Sequence, residues 1–258
     1  MKILAIGDIF GRVGRTAVFT MLDRLQGKYD FVVANAENAA HGRGLSKPVY
    51  EELCSAGIDV FTLGNHAWGC PDVENVMRYN ENVIRPANFE GDVAGTGSVI
   101  LTAKNGVKVG IINLIGRTFI QSVASSPFYK ADEEIAKLKE KTNIILVDFH
   151  AEATSEKMAL GYYLDGKVSA VFGTHTHVQT SDLKILPKGT GYITDLGMTG
   201  PVHSILGLEN ATIINRFLSG LPQKFLVANG RGQFSGAIFD IDEESGKTVG
   251  CELIFKEC

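Results

Sequence analysis

The stretch VFGTHTHVQT, residues 171–180, sets two histidines two positions apart directly after an apolar run. A neutral imidazole keeps one donor and one acceptor, and burial must satisfy both. Two imidazoles closing a buried strand are therefore expected to bind something nearby. The run before them, 168–172, is one of a series. Val-, Ile- and Phe-rich segments at 2–6, 31–34, 59–63, 98–103, 107–113 and 144–149 read as strands. Between them 13–26, 47–56, 71–79 and 131–141 carry apolar residues at helical spacing. This rhythm predicts an α/β fold whose strands are covered by helices on at least one face.

The last third changes character. In 207–218 Leu208, Ile213, Ile214, Phe217 and Leu218 recur at helical spacing before Gly220 and Pro222 end the pattern. Three further strands follow at 224–228, 233–242 and 248–255. The helix reads either as an excursion around 198–222 forming a small subdomain, or as one more layer helix. No repeat, low-complexity tract or linker divides the chain, so residues 1–258 are expected to form one domain.

Composition narrows the function. With 45% hydrophobic and 21% charged residues the chain has the make-up of a soluble globular protein. A formal charge of -4 argues against an extended nucleic-acid surface, which needs clustered Lys and Arg, but allows a small phosphorylated substrate. Cys54, Cys70, Cys251 and Cys258 form no C-x-x-C pair, so reduced thiols in a cytoplasm are expected. No apolar stretch reaches the roughly 18 residues of a membrane span, and the N-terminus lacks a signal-peptide pattern.

The polar residues just after the strands form a pattern of their own. Asp8 follows the first strand; Asn35, Glu37 and Asn38 follow the second; Asn65 and His66 the third; His150 ends 144–149, and His175 and His177 follow 168–172. Ligands in α/β sheets gather beyond the carboxyl ends of strands, so these clusters are expected to share one pocket. Mixed carboxylate, amide and imidazole donors suit Zn, Mn or Fe, whereas all-oxygen sites suit Mg or Ca. Nine such groups exceed one tetrahedral zinc. They suffice for two ions about 3.5–4 Å apart sharing a carboxylate and a hydroxide, the arrangement that drives in-line displacement at phosphorus.

GD at 7–8, GNH at 64–66, the histidine closing IILVDFH and GTHTH at 173–177 resemble the motif series of calcineurin-like metallophosphoesterases. AENAAHG, GNHAW, RPANF, DFHAEATSEK, VFGTHTHVQT and YITDLGMTGP resemble, along essentially the whole chain, their YmdB-like bacterial branch. The resemblance implies a two-sheet β-sandwich flanked by helices, in four layers αββα. The superfamily's first motif is usually Asp-x-His, but here Ile9 and Phe10 follow Asp8; its second usually ends in Asp, but here Glu37 precedes Asn38. On the YmdB-like pattern Asp8, Glu37, Asn38 and His177 hold one metal, and Glu37, Asn65, His150 and His175 the other. An amide oxygen replacing an imidazole favours iron or manganese, with zinc also allowed.

In the resembled family the histidine at position 66 here donates a proton to the leaving oxygen, a task suited to imidazole near neutral pH. The implied activity is a phosphodiesterase acting on small cyclic nucleotides, with 2',3'-cyclic nucleoside monophosphates leading, through attack by a bridging hydroxide. The alternatives are a metal-containing nucleotide sensor with slow turnover, or a broad phosphomonoesterase. Asp148 and Glu152 flank His150 and are expected to orient ligands. His41 and His203 are candidates for the site rim, Arg12, Arg85 and Arg117 for gripping phosphate, and Cys70 for an inert thiol. The apolar helix at 207–218 either covers its own sheet or pairs with a second copy in a homo-oligomer.

Overall fold

The computed structural model describes residues 1–258, in fourteen strands and six helices. The first half runs β1 (Lys2–Ile6), β2 (Asp8–Ile9), α1 (Gly11–Arg24), β3 (Phe31–Asn35), α2 (Lys47–Ala56), β4 (Val60–Thr62), α3 (Val73–Tyr79), β5 (Val83–Ile84), β6 (Ser98–Thr102) and β7 (Lys108–Ile115). It continues with α4 (Pro127–Lys139), β8 (Ile144–His150), α5 (Thr154–Leu164), β9 (Ala170–Thr174), β10 (Lys184–Ile185) and β11 (Gly191–Ile193). The chain closes with β12 (Met198–Pro201), α6 (Asn210–Ser219), β13 (Gly232–Ile241) and β14 (Thr248–Glu257).

Two mixed sheets result. One has the order β2-β12-β13-β1-β3-β4-β5, with β14 also on β13; the other is β10-β11-β9-β8-β7-β6. In the first sheet β1, β3, β4 and β5 run parallel, and in the second β7, β8, β9 and β11 do. The carboxyl ends of both parallel runs meet at one end of the sandwich.

Alternation along the strands sorts the apolar side chains into three cores. In β8, Ile145, Val147 and Phe149 pack with Ala131, Leu138 and Leu160 of α4 and α5. Ile144 and Leu146 point the other way, toward Ile3, Val33 and Phe239 of the facing sheet. Leu4, Val32 and Phe61 of that sheet cover their outer face with Val18 of α1, Leu53 of α2 and Val76 of α3. Three apolar cores mean four layers, αββα. Phe172 and Phe239 stack across the middle one with ring centres 6.5 Å apart.

The short strands β2, β5, β10, β11 and β12 were not expected from the sequence, and two longer segments also differ from that reading. Residues 224–228 make no strand; Val227 forms only an isolated bridge with Leu208. In that bridge the segment lies over the turn before α6 instead of in a sheet. Helix α5 has no counterpart among the expected helices, because its buried face consists of Lys157, Leu160, Gly161 and Leu164 and so lacks an apolar stripe. Helix α6 buries only Ile213, while Phe217 and Leu218 are 84% and 80% exposed. It is not a layer helix. No helix is long and apolar enough to cross a membrane.

Candidate metal centre

Strand parity carries the site's polar residues into the gap between the sheets. Asp148 and His150 share the face of Ile144 and Leu146; Asn35 shares that of Phe31 and Val33; Thr62 shares that of Val60. All four are fully buried. They meet where the apolar core stops, at the carboxyl ends of the strands.

The donors expected to converge do so. His150 Nε2 lies 2.9 Å from Asn65 Oδ1, 3.1 Å from Glu37 Oε1 and 3.0 Å from His175 Nδ1. A second group forms alongside, where His177 Nε2 lies 3.3 Å from Asn38 Oδ1 and 3.9 Å from Asp8 Oδ1. Asp8 joins the groups, since its Oδ1 is also 4.0 Å from His150 Nδ1 and its Oδ2 accepts the His175 N–H at 3.1 Å. Glu37 Oε2 accepts the His66 N–H at 2.8 Å, fixing the GNH turn against the carboxylate. Gly64 makes that approach feasible: a Cβ there would sit 2.3 Å from His150 Cδ2 and 2.5 Å from Glu37 Oε2.

His175 and His177 fan apart instead of pointing together. Both take left-handed backbone, with φ 102° and 64°, a conformation that costs a non-glycine residue energy and needs support from its surroundings. Buried Lys157 supplies it. Its Nζ donates to Thr174 O at 2.8 Å and to Asp195 Oδ2 at 2.6 Å, while Asp195 accepts the Thr176 and Gly197 N–H groups. This paired charge anchors both sides of the turn.

The tautomer of His150 follows from its neighbours. The Thr174 hydroxyl donates to Asp148 Oδ1 at 2.8 Å, so toward His150 Nδ1, 2.9 Å away, it can only accept. Nδ1 therefore carries a hydrogen. Asp148 also accepts from the Thr62 hydroxyl and from Asn35 Nδ2 at 3.3 Å. Burial pushes the Asp148 carboxyl up to about 6 against the hydrogen bonds from Thr62 and Thr174. Glu152 reaches the second imidazole of the cluster, with Oε2 3.0 Å from His175 Nε2.

The remaining electrostatics come from crowding. Burial opposes charge on Glu37 and His150, but their mutual attraction wins, holding Glu37 at about 2 and lifting His150 to about 9. Burial, then the charge on His150, drives His175 down to about 3. Burial raises Asp8 and lowers His66.

This donor set fits a pair of cations. One ring nitrogen offers a single hydrogen or a single lone pair, so His150 Nε2 cannot satisfy three polar atoms around it, whereas an ion centred among them would. Ligand atoms of Glu37, His150 and His175 lie within 4.8 Å of one another. Asp8 Oδ1 is buried and has no hydrogen-bond partner, an orphan that a cation would also satisfy.

The centre floors a cavity of about 630 Å3, whose walls include Arg43, His41, His66, Phe10 and Phe225. Of the arginines considered for phosphate, none reaches it. Arg85 donates to the carbonyls of Pro86, Val93 and Ala94, Arg12 lines a separate depression, and Arg117 is exposed beside Glu156. Arg43 stands in their place. It lies in AAHGRG, two residues after His41, so the same glycine-flanked loop carries both side chains to the cavity. His203 is exposed and does not line the cavity, and Cys70 Sγ contacts Arg43 O at 3.5 Å, its thiol raised by burial. Thr62, Thr174, Lys157 and Asp195 hold the candidate ligands in place; the last three lie within GTHTH, DFHAEATSEK and YITDLGMTGP, but nothing in those motifs assigns them a supporting role.

A family model described as YmdB-like protein matches residues 4–254. The chain is 49% identical over 256 residues to the 2',3'-cyclic-nucleotide 2'-phosphodiesterase of Bacillus subtilis (strain 168), covering 98% of this chain and 96% of that one. It superposes with TM-score 0.93 and 43% identity on a hypothetical protein from Thermus thermophilus, covering 100% and 99% of the two chains. A novel phosphatase from Mycoplasma pneumoniae gives TM-score 0.93 at 38% identity, covering 100% and 93%.

Proposed function

The chain belongs to the YmdB-like family, and from that premise we propose that it is a metal-dependent phosphodiesterase hydrolysing 2',3'-cyclic nucleoside monophosphates. The observation that carries the proposal is the convergence, across both sheets, of Asn65, Glu37 and His175 on one nitrogen of His150, with Asp8, Asn38 and His177 alongside. Asp8, Glu37, Asn38 and His177 would hold one ion and Glu37, Asn65, His150 and His175 the other, with iron or manganese preferred by this oxygen-rich set. Bound ions of this kind lower the pKa of a shared water and neutralise charge on phosphate.

The chain's own residues supply the rest. Arg43 brings a guanidinium to the cavity wall, where a phosphate would be gripped. His66 would act as the proton donor, a reading supported by its position: its backbone is pinned by Glu37, its Nε2 is 3.4 Å from Asn65 Nδ2, and its buried Nδ1 has no partner. Burial lowers its pKa, so its protonated form releases a proton readily to a departing ribose oxygen. The cavity is large enough for a nucleotide.

The test compares turnover of 2',3'-cAMP by metal-loaded and metal-free protein, and by His66→Ala. The variant is expected to keep its metal and lose about 10²- to 10⁴-fold in rate. Unchanged turnover removes His66 from the mechanism, and tight binding without product favours a sensor. A second copy of the chain would pack on α6, whose Ile214, Phe217 and Leu218 leave an apolar face open to solvent. Light scattering on Phe217→Glu, with a smaller particle expected, checks that surface.

A further inference from the structure

A second depression, of about 240 Å3, opens at Asn65 and is walled by Trp68, Phe89, Glu90, Gln121 and Ser122. Asn65 thus belongs to two places at once, since its Oδ1 is also 2.9 Å from the ligand nitrogen of His150. Through Asn65 the slot borders the donor cluster on which a substrate phosphate would sit.

The walls suit a flat heterocycle. The Trp68 and Phe89 rings stand 6.5 Å apart at 39°, and Trp68 leaves 40% of its surface open. Ser122 Oγ is shielded from solvent yet has no hydrogen-bond partner. Glu90 adds an acceptor and Gln121 both a donor and an acceptor. Phe89 closes the RPANF segment, and that segment is held firmly. Fully buried Asn88 bonds both the N–H and the carbonyl of Ile115, at 2.9 and 2.8 Å, and the Ser125 carbonyl at 3.0 Å, while the Glu90 N–H reaches Val123 O at 3.2 Å. The slot is preformed, with aromatic faces on one side and one unsatisfied hydroxyl, that of Ser122, beside the exposed Glu90 and Gln121 at its edge.

We propose that this slot binds the nucleobase of the substrate, stacked on Trp68, with Ser122, Glu90 and Gln121 reading its hydrogen-bonding edge. The assignment rests on the phosphodiesterase reading and names the part of the substrate that discriminates. Base–aromatic stacking tolerates any base, so selectivity falls to the polar edge, and Ser122→Ala shifts the ratio of purine to pyrimidine turnover.

Trp68 is the sole tryptophan in the chain, so fluorescence excited beyond the tyrosine absorption band reports from this slot alone. Manganese-loaded protein titrated with 3'-AMP is expected to show saturable quenching, and ribose 3-phosphate none. Trp68→Ala should raise KM for 2',3'-cAMP about tenfold with kcat nearly unchanged. The same variant should leave turnover of methyl riboside 2',3'-cyclic phosphate, which lacks a base, at the wild-type level, and Trp68→Phe should restore most of the affinity. Equal losses on both substrates, or no quenching by 3'-AMP, overturn the slot assignment. Saturable quenching in a wild-type protein that hydrolyses neither substrate would sink the phosphodiesterase reading and leave the slot standing.

Discussion

Replacing Thr174 by Val keeps the branched shape of the side chain and removes one hydroxyl. That hydroxyl accepts from His150 Nδ1 at 2.9 Å and donates to Asp148 Oδ1 at 2.8 Å, and all three residues are 0% exposed, so water cannot take its place. Asn35 Nδ2, 3.3 Å from Asp148 Oδ2, partly compensates the carboxylate, but as a donor it cannot serve the Nδ1 hydrogen. An orphaned buried polar group costs about 1–3 kcal/mol, so one full and one partial loss predict about 2–4 kcal/mol of stability. With the imidazole no longer held in its tautomer, metal affinity should fall about 10- to 100-fold. Urea unfolding of the metal-free variant reads the first figure and competition with a chelator the second. Thr174→Ser, which keeps the hydroxyl, should recover both. A Val variant with wild-type metal affinity would refute the relay from Asp148 through Thr174 to His150.

Gly64→Ala places a methyl 2.3 Å from His150 Cδ2 and 2.5 Å from Glu37 Oε2; elemental analysis is expected to show loss of bound metal, while circular dichroism stays near wild type. In the metal-free protein His150 is lifted to about 9, chiefly by Glu37 and against burial, so it is charged at neutral pH. Coordination through Nε2 must then expel that proton, and loading with Mn²⁺ near pH 7.5 should release at least one proton per chain, measured by calorimetry in buffers of different ionisation enthalpy; release of none contradicts it. For Asp182, burial is outweighed by hydrogen bonds from Thr180 and Thr194, which hold its carboxyl below the usual 3.8. A depressed folded pKa gives stability that is present above the unfolded value and lost as pH falls through the folded one, so Asp182→Asn should flatten the melting-temperature profile below about pH 4.

Much of this molecule was readable before folding because its signals are local. The seven strands marked in the first two thirds all have counterparts, since alternating or continuous apolar runs in β1, β3, β7, β8 and β9 need no distant partner to be recognised. The donors at strand ends were equally visible, because a His or Asp closing an apolar run is conspicuous in one dimension. What stayed hidden depends on three-dimensional company. Lys157 looks like a surface residue until Asp195, 38 positions away, neutralises it, and its presence masks the amphipathic pattern of α5. Thr62 and Thr174 gain their roles because Asp148 lies between them and His150 stands beside Thr174. Residues 224–228 have the apolar content of a strand, but the sheet positions they would need are taken by β12 and β14 on either side of β13.

The parity of β8 carries a consequence for assembly of the protein. Slipping that strand by a single residue would turn His150 and Asp148 outward among the leucines of α4 and α5 and bring Phe149 inward. A chain trapped in that misalignment could look well folded by helix and strand content, yet it would own no cage for an ion. Capture of the proposed cation would therefore double as an inspection of alignment, one that only a correctly zipped sandwich could pass.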